Sequence, residues 1–158
     1  MSATSNFLIF RLGEQFFAFN VSYVREVIEY TQITPIPLAP KFIEGIINLR
    51  GNAIPIIDLK KKFELGSTSV TLNTSIVILE IVINNEMATI GAIVDDVKDV
   101  VEIDNKSIEL PPSIGIKIHP RYIEGIYKYN NDFAIIVNIK KVFSLEELDG
   151  IANIEPEK

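Results

Sequence analysis

A chain of 158 residues with 47% hydrophobic side chains is long enough to bury one core, or two small lobes around a shared one. Its net charge of −6 argues against binding to duplex DNA, which needs a basic face, and the single run Lys60-Lys61-Lys62 is too short to make one. It has no cysteine, which excludes disulfides and thiolate metal sites and fits a reducing cytosol.

No apolar run approaches the roughly 18 residues of a membrane span, and the first six residues carry neither a basic start nor a cleavage-site pattern. A soluble, cytoplasmic protein is expected, reaching a membrane only through a partner.

In chain order, residues 7–12 and 16–19 flank Gly13-Glu14-Gln15 and predict a β-hairpin. Ser22 follows as a helix cap, with Val24, Val27 and Ile28 at helical spacing, which predicts a short helix over 22–29. Pro35, Pro37 and Pro40 mark an extended crossing. Residues 43–49 and 53–57 flank Arg50-Gly51-Asn52 and predict a second hairpin, after which Asp58 caps a helical turn.

The pattern then starts again. Residues 76–83 and 87–94 flank Asn84-Asn85-Glu86 as a third hairpin. Asp95 caps a predicted helix over 95–101 that carries Val97, Val100 and Val101. Pro111-Pro112 and Pro120 mark a second crossing, and residues 123–129 and 133–137 form a fourth hairpin around Asn130-Asn131-Asp132. Asn138 caps a last helical segment, expected over 139–148 through Val142, Phe143, Leu145 and Leu148. Residues 1–5 and 149–158 are expected to be flexible tails.

This recurrence is an internal repeat. At a constant offset of 80, Pro40, Ile43, Glu44, Gly45, Ile46, Ile56, Lys60, Lys61 and Phe63 recur as Pro120, Ile123, Glu124, Gly125, Ile126, Ile136, Lys140, Lys141 and Phe143. At an offset of 73, Val24, Val27 and Glu29 recur as Val97, Val100 and Glu102, so about seven residues are inserted before Pro120. Agreement at turn residues and caps, not only at apolar positions, makes chance self-similarity a poor explanation. Two related halves, roughly 7–65 and 75–148, predict an all-β fold of two small barrels within one domain spanning 6–148, with strands free to cross between lobes. Ile46, Ile56, Leu59, Ile126, Ile136 and Ile139 are the expected repeated core.

The chain shows no catalytic constellation. His119, the single histidine, precedes Pro120 and has Ala39 as its repeat partner, so it reads as a surface residue. There is no phosphate loop, nucleophile elbow or metal-ligand spacing. Asp95-Asp96, a tight carboxylate pair, reads as favourable charge at a helix start. The repeat does break at one turn: Asn48-Leu49-Arg50-Gly51 in the first half faces Lys128-Tyr129-Asn130-Asn131 in the second. Arg50 beside Gly51 puts a long cation on a tight turn, as an ordinary exposed residue or as a contact point.

At these residues the sequence resembles a known family. The run Gly45-Ile46-Ile47-Asn48-Leu49-Arg50-Gly51-Asn52-Ala53-Ile54-Pro55-Ile56-Ile57-Asp58-Leu59 looks like the signature of the CheW-like domains of bacterial chemotaxis. Residues 7–29, the run Gly91-Ala92-Ile93-Val94-Asp95-Asp96-Val97 and the run Ile136-Val137-Asn138-Ile139-Lys140-Lys141 are similar to it too. Asn52 and Ala53 depart from it, standing where many relatives carry bulkier apolar residues.

The resemblance implies two SH3-like five-stranded barrels around a shared core and a non-enzymatic adaptor without cofactor. It implies two partners, a CheA-type histidine kinase and the cytoplasmic tips of chemoreceptors, at membrane-associated arrays. It assigns receptor contact to Arg50 and to Val24, Glu26 and Val27; the repeat adds Val97 and Val100 of the second copy as receptor-contact candidates along the seam between the lobes. It makes Gly45 and Gly51 turn positions needed for coupling, and Ile33 and Ile114 candidate kinase contacts. Competing readings are an adaptor of a related two-component pathway, an enzyme with a site between the lobes, and a small-molecule sensor. Paired acid–base groups would favour the enzyme, and a large polar-lined pocket the sensor.

Overall fold

The computed structural model describes residues 3–112 and 115–144. Ten strands run in the order β1 (Thr4–Leu12), β2 (Gln15–Asn20), β3 (Val24–Glu29), β4 (Ile43–Leu49), β5 (Asn52–Asp58), β6 (Ser75–Ile83), β7 (Glu86–Val94), β8 (Asp96–Asp104), β9 (Ile123–Tyr129) and β10 (Asp132–Val137). Two single-turn helices follow β5 and β10: α1 (Leu59–Lys62) and α2 (Ile139–Val142). All four hairpins form where the turn residues place them. Three turn on two residues with positive φ, Arg50-Gly51, Asn84-Asn85 and Asn130-Asn131, the backbone that matches the twist of the flanking strands.

The strands make two five-stranded sheets, ordered β8-β1-β2-β10-β9 and β3-β6-β7-β5-β4. Under the repeat, β3 corresponds to β8, β4 to β9, β5 to β10 and the hairpin β6–β7 to β1–β2, so the two orders are the same. Each half lends its first hairpin to the other half's sheet. The parallel contacts β2–β10 and β5–β7 join the halves. We call the sheets lobe A and lobe B; both are SH3-like barrels.

Each barrel closes at an equivalent place. After β3, Thr34 exchanges two backbone hydrogen bonds of 2.9 Å with Ile46 on β4. After β8, Glu109 exchanges bonds of 2.9 and 2.8 Å with Ile126 on β9. The connector crosses directly over the repeated glycine: a Cβ on Gly45 would lie 2.0 Å from the Thr34 carbonyl oxygen, and one on Gly125 would lie 2.4 Å from Ile108 Cγ2. Gly45 was expected at a turn. It sits instead inside β4 at a register shift, with φ +147°, because closure needs a position without a side chain.

Burial follows the duplication. Ile9, Ala18, Ile103 and Ile136 lie inside lobe A, and Ile54, Ile56, Ile76 and Ile78 inside lobe B. Between the lobes a larger shared core joins Phe10, Phe17 and Phe19 to Leu59, Phe63, Leu79, Ile139 and Phe143. Phe10 and Phe17 stack at 5.8 Å, and Phe17 and Phe63 at 5.7 Å, joining elements of both lobes.

Three expectations are corrected. Residues 22–29 and 95–101 are not helices: only Val21–Tyr23 makes a short 3-10 turn, capped by Asn20 and not Ser22, and the rest is β3 and β8. Their apolar residues are β-branched, and six to nine residues with an open edge to pair against gain more as strands than as helices that must nucleate alone. Ile46 is half-buried, whereas Ile126 is buried; the longer second connector supplies the buried Ile118 to the cluster that holds Ile126, and the first connector leaves Ile46 on a surface cleft. Finally, β1 begins at Thr4, within the expected N-terminal tail. Asp58 and Asn138 cap α1 and α2 as read, while Leu145, Leu148 and residues 149–158 lie outside the described residues.

Two stability tests follow. Ile56→Ala and Ile136→Ala, at wholly buried sites, should each cost about 2–5 kcal/mol in denaturant unfolding, and Ile46→Ala clearly less. Gly45→Ala should cost more than about 3 kcal/mol or prevent folding, because Thr34 backbone must move. Gly51→Ala, where a Cβ meets nothing within 4 Å, should cost only about 1 kcal/mol for its positive φ.

Candidate interaction surface

The turn that breaks the repeat is built from its own sequence. The Asn48 side chain accepts the Gly51 N–H at 2.8 Å, which sets the hairpin bend. Gly51 takes φ +90° without strain. Arg50 takes φ +51°, a left-handed conformation in which Asn is much commoner, and Asn is what the second copy places there as Asn130. A strained arginine where asparagine would serve points to a requirement for the side chain itself.

That side chain is 59% exposed, and its Nη2 donates to Glu26 Oε2 on β3. Glu26 also lies 4.0 Å from Arg25 Nε, and Arg25 Nη1 lies 3.4 Å from Glu80. The charges therefore run in a line across the closure of lobe B. At this exposure such pairs contribute about 0–1 kcal/mol, so they hold Arg50 in place more than they hold the fold together. Beside the turn, Thr34, Ile46, Ile47, Asn48, Gly51 and Ala53 line a cleft of about 280 Å³.

The remaining residues singled out in the sequence divide. Glu26 is brought to Arg50 by β3, not by a helix. Val24 and Val97 pack against the shared core, while Val27 is 41% and Val100 56% exposed, each on the edge strand of its own sheet. The four valines thus do not form one stripe, because a strand sends alternate side chains to opposite faces. Ile33 is half-buried against the interior of lobe B. Ile114 lies outside the described residues. His119 is exposed, and its Nδ1 accepts the Arg121 N–H at 3.2 Å. Asp95, expected to cap a helix, sits at the bend between β7 and β8, accepts the Gly13 N–H at 2.6 Å and pairs with Lys60 Nζ at 3.2 Å.

Sequence reasoning missed two features. The Glu26–Arg50 pair joins residues 24 apart in sequence, and only knowledge of the closure brings them together. Lys62 is buried with its ammonium 4.5 Å from the Phe42 ring centre and 5.3 Å from that of Tyr122, two residues equivalent under the repeat; the mismatch of Lys62 with Val142 was its only signal.

A family profile for the CheW-like domain matches residues 6–147. The chain belongs to the CheW-like family. It is 34% identical over 148 residues to the chemotaxis protein CheW of Klebsiella aerogenes, covering 94% of this chain and 87% of that one. It is 32% identical over 145 residues to the CheW of Treponema pallidum, covering 92% and 85%. The crystal structure of the scaffolding protein TtCheW from Thermoanaerobacter tengcongensis matches it with a TM-score of 0.80 and 37% identity, over 92% of this chain and 91% of that one. The duplicated barrels are thus a CheW-like fold, and the chain is a chemotaxis coupling adaptor. Among the described residues, no helix is long and apolar enough to cross a membrane.

The strain at position 50 gives a test of its own. Arg50→Asn should melt at or slightly above the temperature of the parent protein, because the relief of the left-handed backbone offsets the lost exposed ion pair. A fall of several degrees in the thermal midpoint would show that Arg50 serves the fold.

Proposed function

We propose that this adaptor is non-enzymatic and couples a CheA-type histidine kinase to the cytoplasmic tips of chemoreceptors at membrane-associated arrays. The observation that carries the reading is Arg50: an exposed cation held by Glu26 on a left-handed turn position that the second copy gives to the uncharged Asn130. Receptor contact is assigned to Arg50 and Glu26 with the neighbouring valines of β3, Val24 and Val27, and with Val97 and Val100 of the second copy. Gly51 supports that contact by making the turn, and Gly45 by letting the barrel close beneath it. Kinase contact is assigned to the connector-bearing barrel ends, with Ile33 and Ile114 as its residues. An adaptor of this kind works by holding both partners at once, which raises the effective concentration of one beside the other.

Reconstitution with a receptor fragment and the kinase tests this. Arg50→Ala should lower receptor-dependent kinase activation about tenfold or more with the thermal midpoint nearly unchanged. Ile114→Asp should weaken kinase binding and spare receptor binding. A ternary complex should form when all three proteins are present at saturation; competition between the two partners would sink the reading.

A further inference from the structure

The two copies treat their repeated lysine pair differently. In the first, Lys61 Nζ donates to Glu44 at 2.5 Å, a bond that holds the lysine pKa above its usual value. Lys60 reaches out of lobe B to Asp95, 3.2 Å away at the foot of β8, and the two side chains are only 17% and 13% exposed. The pair is thereby neutralised, one acid coming from each side of the seam between the lobes.

In the second copy Lys140 and Lys141 stand at the equivalent place, on a cleft of about 260 Å³. Its wall includes Asn20, Tyr23, Asn138 and Glu124. Glu124, the counterpart of Glu44, also lines the cleft, without the ion pair to its lysine that Glu44 makes. The counterpart of Asp95, however, is Ser22, and Asn20 is the side chain that this segment offers instead. Among the described residues, Lys140 makes no ion pair and is exposed. On a chain of net charge −6, this leaves one cation lacking the acid that its twin holds. Asn20 and Tyr23 add polar groups suited to a carboxylate.

We propose that this cleft is a socket for an acidic side chain of the chemoreceptor, which takes the position relative to Lys140 that Asp95 takes relative to Lys60. The receptor is the occupant because Tyr23, in the cleft wall, leads directly into Val24 and Glu26 of β3, so the socket continues the surface assigned to the receptor. The inference rests on the coupling reading above and adds to it a second charged contact, in a different part of the chain from Arg50.

The test uses the full chain with a soluble receptor fragment and with the kinase, each binding measured separately at low and high salt. Lys140→Glu should weaken receptor binding roughly tenfold at low salt, and Lys140→Gln should flatten its salt dependence. Ser22→Asp should also weaken receptor binding, by supplying from within the carboxylate that the receptor would bring. None of the three should change the thermal midpoint appreciably or kinase affinity by more than about twofold, since both sites are exposed. Receptor affinity unchanged in all three variants, or kinase affinity falling in step with it, would overturn the socket and leave the coupling function standing. A parent protein that binds no receptor would overturn the coupling reading, and the socket with it.

Discussion

Each lobe depends on one crossing, where the connector passes over a strand at a residue with no side chain. At Gly45 the Thr34 carbonyl oxygen occupies the space of a Cβ, and at Gly125 Ile108 and the Glu109 carbonyl occupy it. The crossing lets two backbone hydrogen bonds form on each side and turns an open five-stranded sheet into a barrel without free edges at β3 and β4, or at β8 and β9. Once closed, each barrel has an inner face that can be filled with Ile and Ala and an outer face that can meet its twin. The shared aromatic core of Phe10, Phe17 and Phe63 forms on those outer faces. The same closure brings Glu26 of β3 within reach of Arg50, although the two strands are the opposite edges of their sheet. Fold and surface thus follow from a single steric condition met twice.

The swapped hairpins add a second constraint. Because β6–β7 of the second half completes the sheet of the first, and β1–β2 that of the second, neither half has a complete sheet alone. The parallel contacts of β5 with β7 and of β10 with β2 are the long-range pairings that close this exchange. A chain built this way gains its stability from the whole. Its two lobes are therefore fixed relative to each other, which suits a part that must hold partners in a set geometry.

Turn chemistry and repetition were legible in the sequence because both are local. Asn84-Asn85 and Asn130-Asn131 announce hairpins by the backbone they tolerate, and Asp58 and Asn138 announce caps by what their side chains accept. The matched pair Gly45 and Gly125 was visible as a repeat, but its reason was not, since the atoms that forbid a side chain come from residues remote in sequence. Residues 22–29 misled because Val24, Val27 and Ile28 fit a helical stripe, while the real alternation, Val24, Glu26 and Ile28 more buried than Arg25, Val27 and Glu29, places a charged residue on the inner side. That charged residue is Glu26, only partly covered, which pairs at the surface with the exposed Arg50. The ion pair with Arg50 thus disguised the strand that carries Glu26.

The two copies differ inside the barrels, where Ile54 stands for Ala134 and Leu49 for Tyr129, but the differences in charge lie elsewhere. Ile56 and Ile136 fill equivalent interiors, and Phe63 and Phe143 equivalent places in the shared core. Against that constancy stand Arg50 for Asn130, Asp58 for Asn138, Lys62 for Val142 and Asp95 for Ser22. Some of these differences serve the fold. Asp58, buried, accepts bonds from the N–H and hydroxyl of Thr68 at 3.1 and 3.0 Å and so ties down the loop after α1. Lys62 packs its ammonium against the rings of Phe42 and Tyr122. Arg50 does neither: it accepts a strained backbone for an exposed pair that adds little stability. A symmetric dimer of one barrel would present every surface twice and so could not distinguish two partners by place. Duplication followed by divergence at such exposed positions gives one rigid body two unlike faces, which a repeated but undiverged barrel could not offer a coupling adaptor.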